Sequence, residues 1–206
     1  MQTLPRLLLI ADGFTRPDIA ERAKHAVECG VPWIQLRDHD ASTDAFEFAC
    51  ERFIKELRRV NPKVLISINS RITVSEAQGV PLHTGFHGVS VTEALNVLGS
   101  EWLVGASIHS RFEAVDAERD GAKYSIFSPV FETPSHPGER AWGTDVLKSV
   151  CSSVQKMQVL AMGGITPERV PACLQAGAYG VAVHFSIMGA LNIPQAVMDF
   201  RKALRI

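Results

Sequence analysis

This sequence has no run of like charge, no apolar stretch of membrane-spanning length and no closely spaced cysteine pair. The first absence, with a net charge of −1, leaves no basic surface for nucleic acid or an anionic membrane, so neither is expected as a partner. The second excludes a spanning helix of the usual kind, because Leu7-Leu-Leu-Ile-Ala11 is too short to cross a bilayer. Met1-Gln-Thr-Leu-Pro-Arg6 also lacks a secretory-signal pattern, and a cytoplasmic protein is expected. The four cysteines, Cys29, Cys50, Cys151 and Cys173, are scattered without CxxC spacing and read as small buried thiols in a reducing compartment. No HxH or HExxH spacing marks a metal site, so no metal and no cofactor are assigned. Linkers and low-complexity segments are absent as well, and the 206 residues are expected to form one domain over 1–206.

What the chain does contain is alternation. Short apolar runs at 6–11, 33–37, 64–69, 82–87, 103–108, 124–127, 158–162 and 180–185 read as strands. Several are rich in Val, Ile and Leu without a polar face, as in a parallel sheet covered by helices. Helical periodicity fills the intervals, at 17–28, 43–59, 111–120, 167–176 and 194–204. Thr166 is placed to cap the helix that Pro167 opens, and Gly30, Gly121 and Gly177 each close a helix just before a strand. This repeated helix–glycine–strand plan favours an α/β fold of the (βα)8 TIM-barrel type over an open sheet. The fourth strand, Pro81-Leu-His-Thr-Gly-Phe-His87, is the least defined.

In such barrels the working residues sit at the C-terminal ends of the strands. Those ends hold Asp12, Gln35, Arg37, Asp38, His39, Asn69, Ser70, His87, Ser107, His109, Thr133, Ser135, His136 and His184. Of the seven histidines only His25 falls inside an expected helix. The others can move protons near neutral pH, or can simply satisfy backbone groups at the strand ends. Gly163-Gly164 after the seventh strand and Ser186 after the eighth can form an anion site from backbone N–H groups, although Gly-Gly also makes a plain tight turn. Arg37 can bind an anionic ligand or pair with Asp38 or Asp40. The loop 132–143, with two prolines and two glycines, is either a semi-rigid lid or a passive excursion.

Six segments carry a resemblance that no single one would support: Ile34-Gln-Leu-Arg37, Ile68-Asn-Ser-Arg71, Gly105-Ala-Ser-Ile-His109, Pro129-Val-Phe-Glu-Thr133, Ala161-Met-Gly-Gly-Ile165 and Gly177-Ala-Tyr-Gly-Val-Ala-Val183. In this order and spacing the chain resembles the thiamine phosphate synthase/TenI family over nearly its whole length. The resemblance implies a (βα)8 barrel that takes a thiazole phosphate at the Gly-Gly loop and associates as a homo-oligomer, with a homodimer expected. It also implies ligand contacts at Gln35, Arg37, Asn69, Ser107, Thr133, Gly163, Gly164 and Ser186.

The family has two chemistries. The synthase couples hydroxymethylpyrimidine diphosphate to the thiazole phosphate and expels diphosphate with Mg²⁺; TenI-like tautomerases aromatise a thiazole carboxylate phosphate by metal-independent proton transfer. Here the synthase pattern is altered. Asp38-His39 replaces Glu-Lys, Ser70 replaces an Asp, no acid follows in Gly85-Phe-His-Gly-Val-Ser-Val-Thr92, and His136 stands where a lysine is expected. Mg²⁺ prefers carboxylate oxygens, so the leading expectation is a TenI-like tautomerase. Its tautomerase pattern has a histidine where this chain has Pro129, and His109, His136 and His184 are therefore the candidate proton carriers. The alternatives are a synthase, for which Mg²⁺ would be the cofactor, and a non-catalytic thiazole-phosphate-binding regulator.

Overall fold

A computed structural model describes residues 3–85, 88–133, 138 and 140–206. Eight parallel strands pair in sequence order and close on themselves: β1 (Leu7–Asp12), β2 (Trp33–Arg37), β3 (Leu65–Asn69), β4 (Leu82–Thr84), β5 (Val104–Ile108), β6 (Tyr124–Phe127), β7 (Gln158–Ala161) and β8 (Gly180–Val183). The helices packed outside are α1 (Pro17–Glu28), α2 (Thr43–Val60), α3 (Ile72–Gln78), α4 (Val91–Leu98), α5 (Arg111–Arg119), α6 (Gly143–Ser153), α7 (Val170–Gln175), α8 (Phe185–Met188) and α9 (Ile193–Leu204). The expected (βα)8 barrel is therefore the observed one.

Strand geometry sorts the apolar residues into two cores. Alternate residues point outward to the helices, as Leu7, Leu9, Ile34 and Leu36 do. The residues between them, including Leu8, Ile10, Trp33, Tyr124, Ile126 and Leu160, fill the lumen. The Trp33 and Tyr124 rings meet edge to face, 4.7 Å apart. Gly105 makes this packing possible: a Cβ there would lie 2.1 Å from the Tyr124 ring. Side-chain caps start several helices, with Ser42, Ser110 and Asn192 each accepting a backbone N–H and Ser90 forming a reciprocal pair with Glu93.

The structure revises several boundaries. β1 extends one residue further than expected, to Asp12, which lies opposite Arg37 in the ladder. The fourth strand stops at Thr84, and Phe86 and His87 lie outside the described residues. The eighth strand ends at Val183 because the chain turns at His184, whose carbonyl accepts the amides of Ile187 and Met188 to start α8. Thr166 makes no side-chain cap: its hydroxyl is engaged by Glu168, and Pro167–Arg169 forms a 3₁₀ turn ahead of α7. Gly30, Gly121 and Gly177 all have positive φ, as their helix-closing role requires.

Candidate functional site

A cavity of about 790 Å³ opens at the C-terminal end of the barrel. Gly163, Gly164 and Ser186 form one wall, and Arg37, His109 and His184 line it elsewhere; Thr133 stands at its edge with Glu132. A second pocket of about 620 Å³ adjoins it over the loops that follow β1 and β2, sharing Asp12, His39, His184 and Phe185. The mouth is thus two-lobed.

The Gly163-Gly164 loop is held in its shape by the loop after β6. Val130 N–H donates to the Met162 carbonyl and Phe131 N–H to the Gly163 carbonyl. A Cβ on Gly163 would stand 2.6 Å from Pro129 Cα, and one on Gly164 would stand 2.3 Å from the Glu132 carbonyl oxygen. Both glycines have positive φ. They are therefore required by close backbone approach as well as by turn geometry. The Ser186 hydroxyl donates to the Ile165 carbonyl at 2.6 Å, tying α8 to this loop. Arg169 braces it from outside, with Nη1 donating to the Gly164 carbonyl and the guanidinium 4.8 Å over the Phe131 ring.

Arg37 pairs with Asp12, Nη2 to Oδ2 at 2.9 Å. The expected alternative partners are corrected: Asp38 is turned to Thr15 and to the N–H groups of Asp40 and Ala41, and no bond from Arg37 to Asp38 or Asp40 is formed. Burial raises the Asp38 pKa, but the Thr15 hydroxyl and these N–H groups outweigh it and hold the carboxyl below its ordinary range. Two donors on β2, Gln35 Nε2 and Arg37 Nε, are buried and make no hydrogen bond among the described residues. Residues i and i+2 of a strand share a face. Gln35 lies below the cavity wall, against the buried Tyr124 phenol, whereas Arg37 lines the cavity, where a buried Nε–H without an acceptor is costly and is matched to a ligand acceptor atom.

His109 donates from Nδ1 to the Ser128 carbonyl at 2.9 Å. His184 has a lowered pKa: burial acts first, and the Arg37 charge adds to it against the opposing pull of Asp12. His136, the third expected proton carrier, lies outside the described residues, as do Ser135 and most of the tip of the loop 132–143. The loop's far base is pinned to the end of β6 through Trp142 N–H to Pro129 O and Gly143 N–H to Val130 O, both 3.0 Å.

Gln35, Asn69 and Ser107 are not part of the cavity wall. Asn69 is buried at the end of β3 and donates to the Ser70 hydroxyl, while Ser107 bonds the ring of buried His83 at 3.0 Å. Conversely, Asp12, His39, Thr166 and Arg169 line the mouth without having been selected from the sequence. Asp12 and His39 stood among the strand-end residues; the signal that would have singled them out is their placement one on each side of the β1–β2 seam.

Arg37, His39, His109, His184 and Arg169 against Asp12 and Glu132 give the mouth an excess of cationic and protonatable groups. Among the described residues no three His, Cys, Asp or Glu side chains converge on a metal position. The Mg²⁺ that the synthase chemistry implies has its expected carboxylate replaced by Ser70, whose hydroxyl is engaged by Asn69. The described residues therefore do not fit a carboxylate-held Mg²⁺.

Fold and site together define a (βα)8 barrel whose two-lobed mouth is rich in cationic and protonatable side chains. The thiamine monophosphate synthase family model matches residues 7–187. The thiamine-phosphate synthase of Syntrophomonas wolfei is 34% identical over 188 residues, covering 89% of this chain and 88% of its own. That of Pyrococcus abyssi is 32% identical over 97% of this chain and 94% of its own. The solved thiamine phosphate pyrophosphorylase of Pyrococcus furiosus superposes with a TM-score of 0.84 at 28% identity, covering 97% of this chain and 95% of that one. The chain belongs to the thiamine monophosphate synthase family. No helix of the described residues is long and apolar enough to cross a membrane.

Proposed function

We propose that this protein is a thiamine-phosphate synthase: the nitrogen of a thiazole phosphate attacks the methylene carbon of hydroxymethylpyrimidine diphosphate, the C–N bond forms, and the C–O bond breaks as diphosphate departs with the electron pair. The observation that carries this reading is the two-lobed mouth, with volumes of about 790 and 620 Å³ that meet at Asp12, His39 and His184. A one-substrate proton transfer has no use for the second lobe. The names of the relatives support the same reading over the TenI-like tautomerase. In it Gly163, Gly164 and Ser186 hold the thiazole phosphate, and Arg37 with His39 faces the diphosphate, His39 standing where the synthase pattern has lysine. Homodimer formation and a cytoplasmic location belong to the same proposal.

The tautomerase is the second reading, favoured by the missing carboxylates and by the His109 ring at the mouth, whose Nδ1 donates to the Ser128 carbonyl. One experiment separates the two: mix the protein with both substrates, with and without added Mg²⁺, and follow diphosphate release; then follow the thiazole carboxylate phosphate alone by proton NMR. Coupled diphosphate release supports the synthase. Aromatisation of the single thiazole substrate without diphosphate release overturns it in favour of the tautomerase, and binding without either change leaves a regulatory protein.

A further inference from the structure

The second lobe stands on the loop after β2, which supplies Asp38, His39, Asp40 and Ala41 to its wall. From within and from the β1 side, the Asp38 carboxylate shapes this loop by accepting the N–H groups of Asp40 and Ala41 and the Thr15 hydroxyl. From the β3 side the loop is held by Arg71, a half-buried residue that lines neither lobe. Its Nη2 donates to the Ala41 carbonyl at 2.7 Å and, more weakly, to the Asp38 carbonyl at 3.4 Å. Its Nη1 donates to the Thr43 hydroxyl at 3.0 Å. The guanidinium lies 4.7 Å over the ring of fully buried Phe46, which meets the Phe14 ring edge to face.

The residue before Arg71 sets its approach. Ser70 has a φ of +58°; apart from Arg205, just after α9, it is the one non-glycine residue with positive φ among those described. A residue with a Cβ keeps such a conformation only where its surroundings fix it. Here the Ser70 N–H donates to the His83 carbonyl at 2.8 Å, and the Ser70 hydroxyl accepts from Asn69. The chain is thereby turned at the end of β3, and Arg71 reaches the loop of the neighbouring strand. A planar fork of donors can meet several acceptors and an aromatic face together, which a lysine ammonium cannot.

We propose that Arg71 is a positioning residue for the second lobe: by holding the Asp38 and Ala41 carbonyls it fixes the loop that presents His39 to the diphosphate of the pyrimidine substrate. It takes up the first and last carbonyls of the loop, and His39 between them lines both lobes. The wall of Gly163, Gly164 and Ser186 is held by other contacts, from Val130, Phe131, Arg169 and the Ile165 carbonyl, so the action of Arg71 is confined to one lobe. That this lobe takes a diphosphate rests on the proposed function; the clamping of the loop does not.

The test uses Arg71→Lys, which keeps the positive charge near the mouth and removes the fork. In the ligand-free proteins, amide hydrogen exchange at Asp40 and Ala41 is read by NMR against Val130 and Phe131, whose N–H groups support the Gly163-Gly164 loop. Exchange at Asp40 and Ala41 is expected to quicken about tenfold, with Val130 and Phe131 unchanged. Unchanged exchange in the loop, or equal acceleration at all four amides, overturns the clamp whatever the substrate proves to be. The second arm is calorimetric titration with hydroxymethylpyrimidine diphosphate and with thiazole phosphate. Affinity for the diphosphate is expected to fall about tenfold and that for thiazole phosphate to stay, and the loss is expected to vanish in a His39→Ala background. Equal weakening of both ligands reveals a merely structural role and overturns the proposal, as does an undiminished loss in the His39→Ala background. Failure of the wild type to bind the diphosphate defeats the proposed function, and the substrate half of this proposal with it, while the exchange measurement still decides the clamp.

Discussion

Arg37 and Asp12 face each other across the first seam of the barrel, guanidinium Nη2 to carboxylate Oδ2 at 2.9 Å, with the Arg37 Nε left without a partner among the described residues. The pair orients a cation at the mouth without consuming all its donors. Because both side chains keep a quarter to a third of their exposure, the pair is worth only about 1 kcal/mol to stability.

Arg37→Lys is accordingly expected to leave thermal unfolding nearly unchanged yet to weaken binding of phosphorylated ligand by about tenfold, since an ammonium lacks the planar fork that meets Asp12 and a ligand oxygen together. Calorimetric titration with thiazole phosphate and with hydroxymethylpyrimidine diphosphate measures it. Unchanged affinity for both ligands contradicts a ligand role for the guanidinium.

Gly164→Ala places a methyl group 2.3 Å from the Glu132 carbonyl oxygen at a residue with φ of +60°. The loop after β6 has to move or the variant loses about 1–3 kcal/mol, and phosphate binding falls with it. Urea denaturation reads the first effect and calorimetry the second. Gly79→Ala, with the same φ but open space around it, isolates the backbone strain.

The thiols of buried Cys50 and Cys173 and of half-buried Cys151 are expected to be inert. Burial first of all pushes Cys50 and Cys151 up to about 12 and Cys173 up to about 11, so almost no thiolate exists at neutral pH. Iodoacetamide should leave these three unmodified in the folded protein while labelling all four in urea; rapid modification of Cys151 in the native state would contradict the packing described.

Acid should destabilise the protein through His83. Its pKa falls from 6.5 to about 3 on folding, so between those values the unfolded chain binds a proton that the folded chain refuses. Stability contributed by keeping this ring neutral is present above pH 6.5 and declines as the pH drops toward about 3. Urea unfolding measured across this range should show a slope shallower by about one proton in His83→Gln than in the wild type.

Much of the barrel was legible in the chain because each element declares itself locally. Trp33–Arg37 is a short apolar run between a helix-closing glycine and polar residues, and its predicted and observed bounds agree. β4 was harder, since a three-residue strand bounded by proline and glycine carries too little periodicity to mark its end. The Gly-Gly loop was recognised as a site element, but its tight contact with Pro129 and Glu132 was not, because those residues are more than thirty positions away.

Local sequence, then, determined the eightfold alternation, the helix-closing glycines and the set of polar residues at the strand ends, since hydrophobic period, capping and turn chemistry all act within a few residues. Tertiary structure alone decided which of those polar residues share a cavity. Asp12 finds Arg37 through the β1–β2 register, His83 finds Ser107 through the β4–β5 pairing, and Trp33 reaches Tyr124 only because Gly105 leaves room for its ring. Each depends on closure of the sheet, which brings together side chains that the linear order keeps apart.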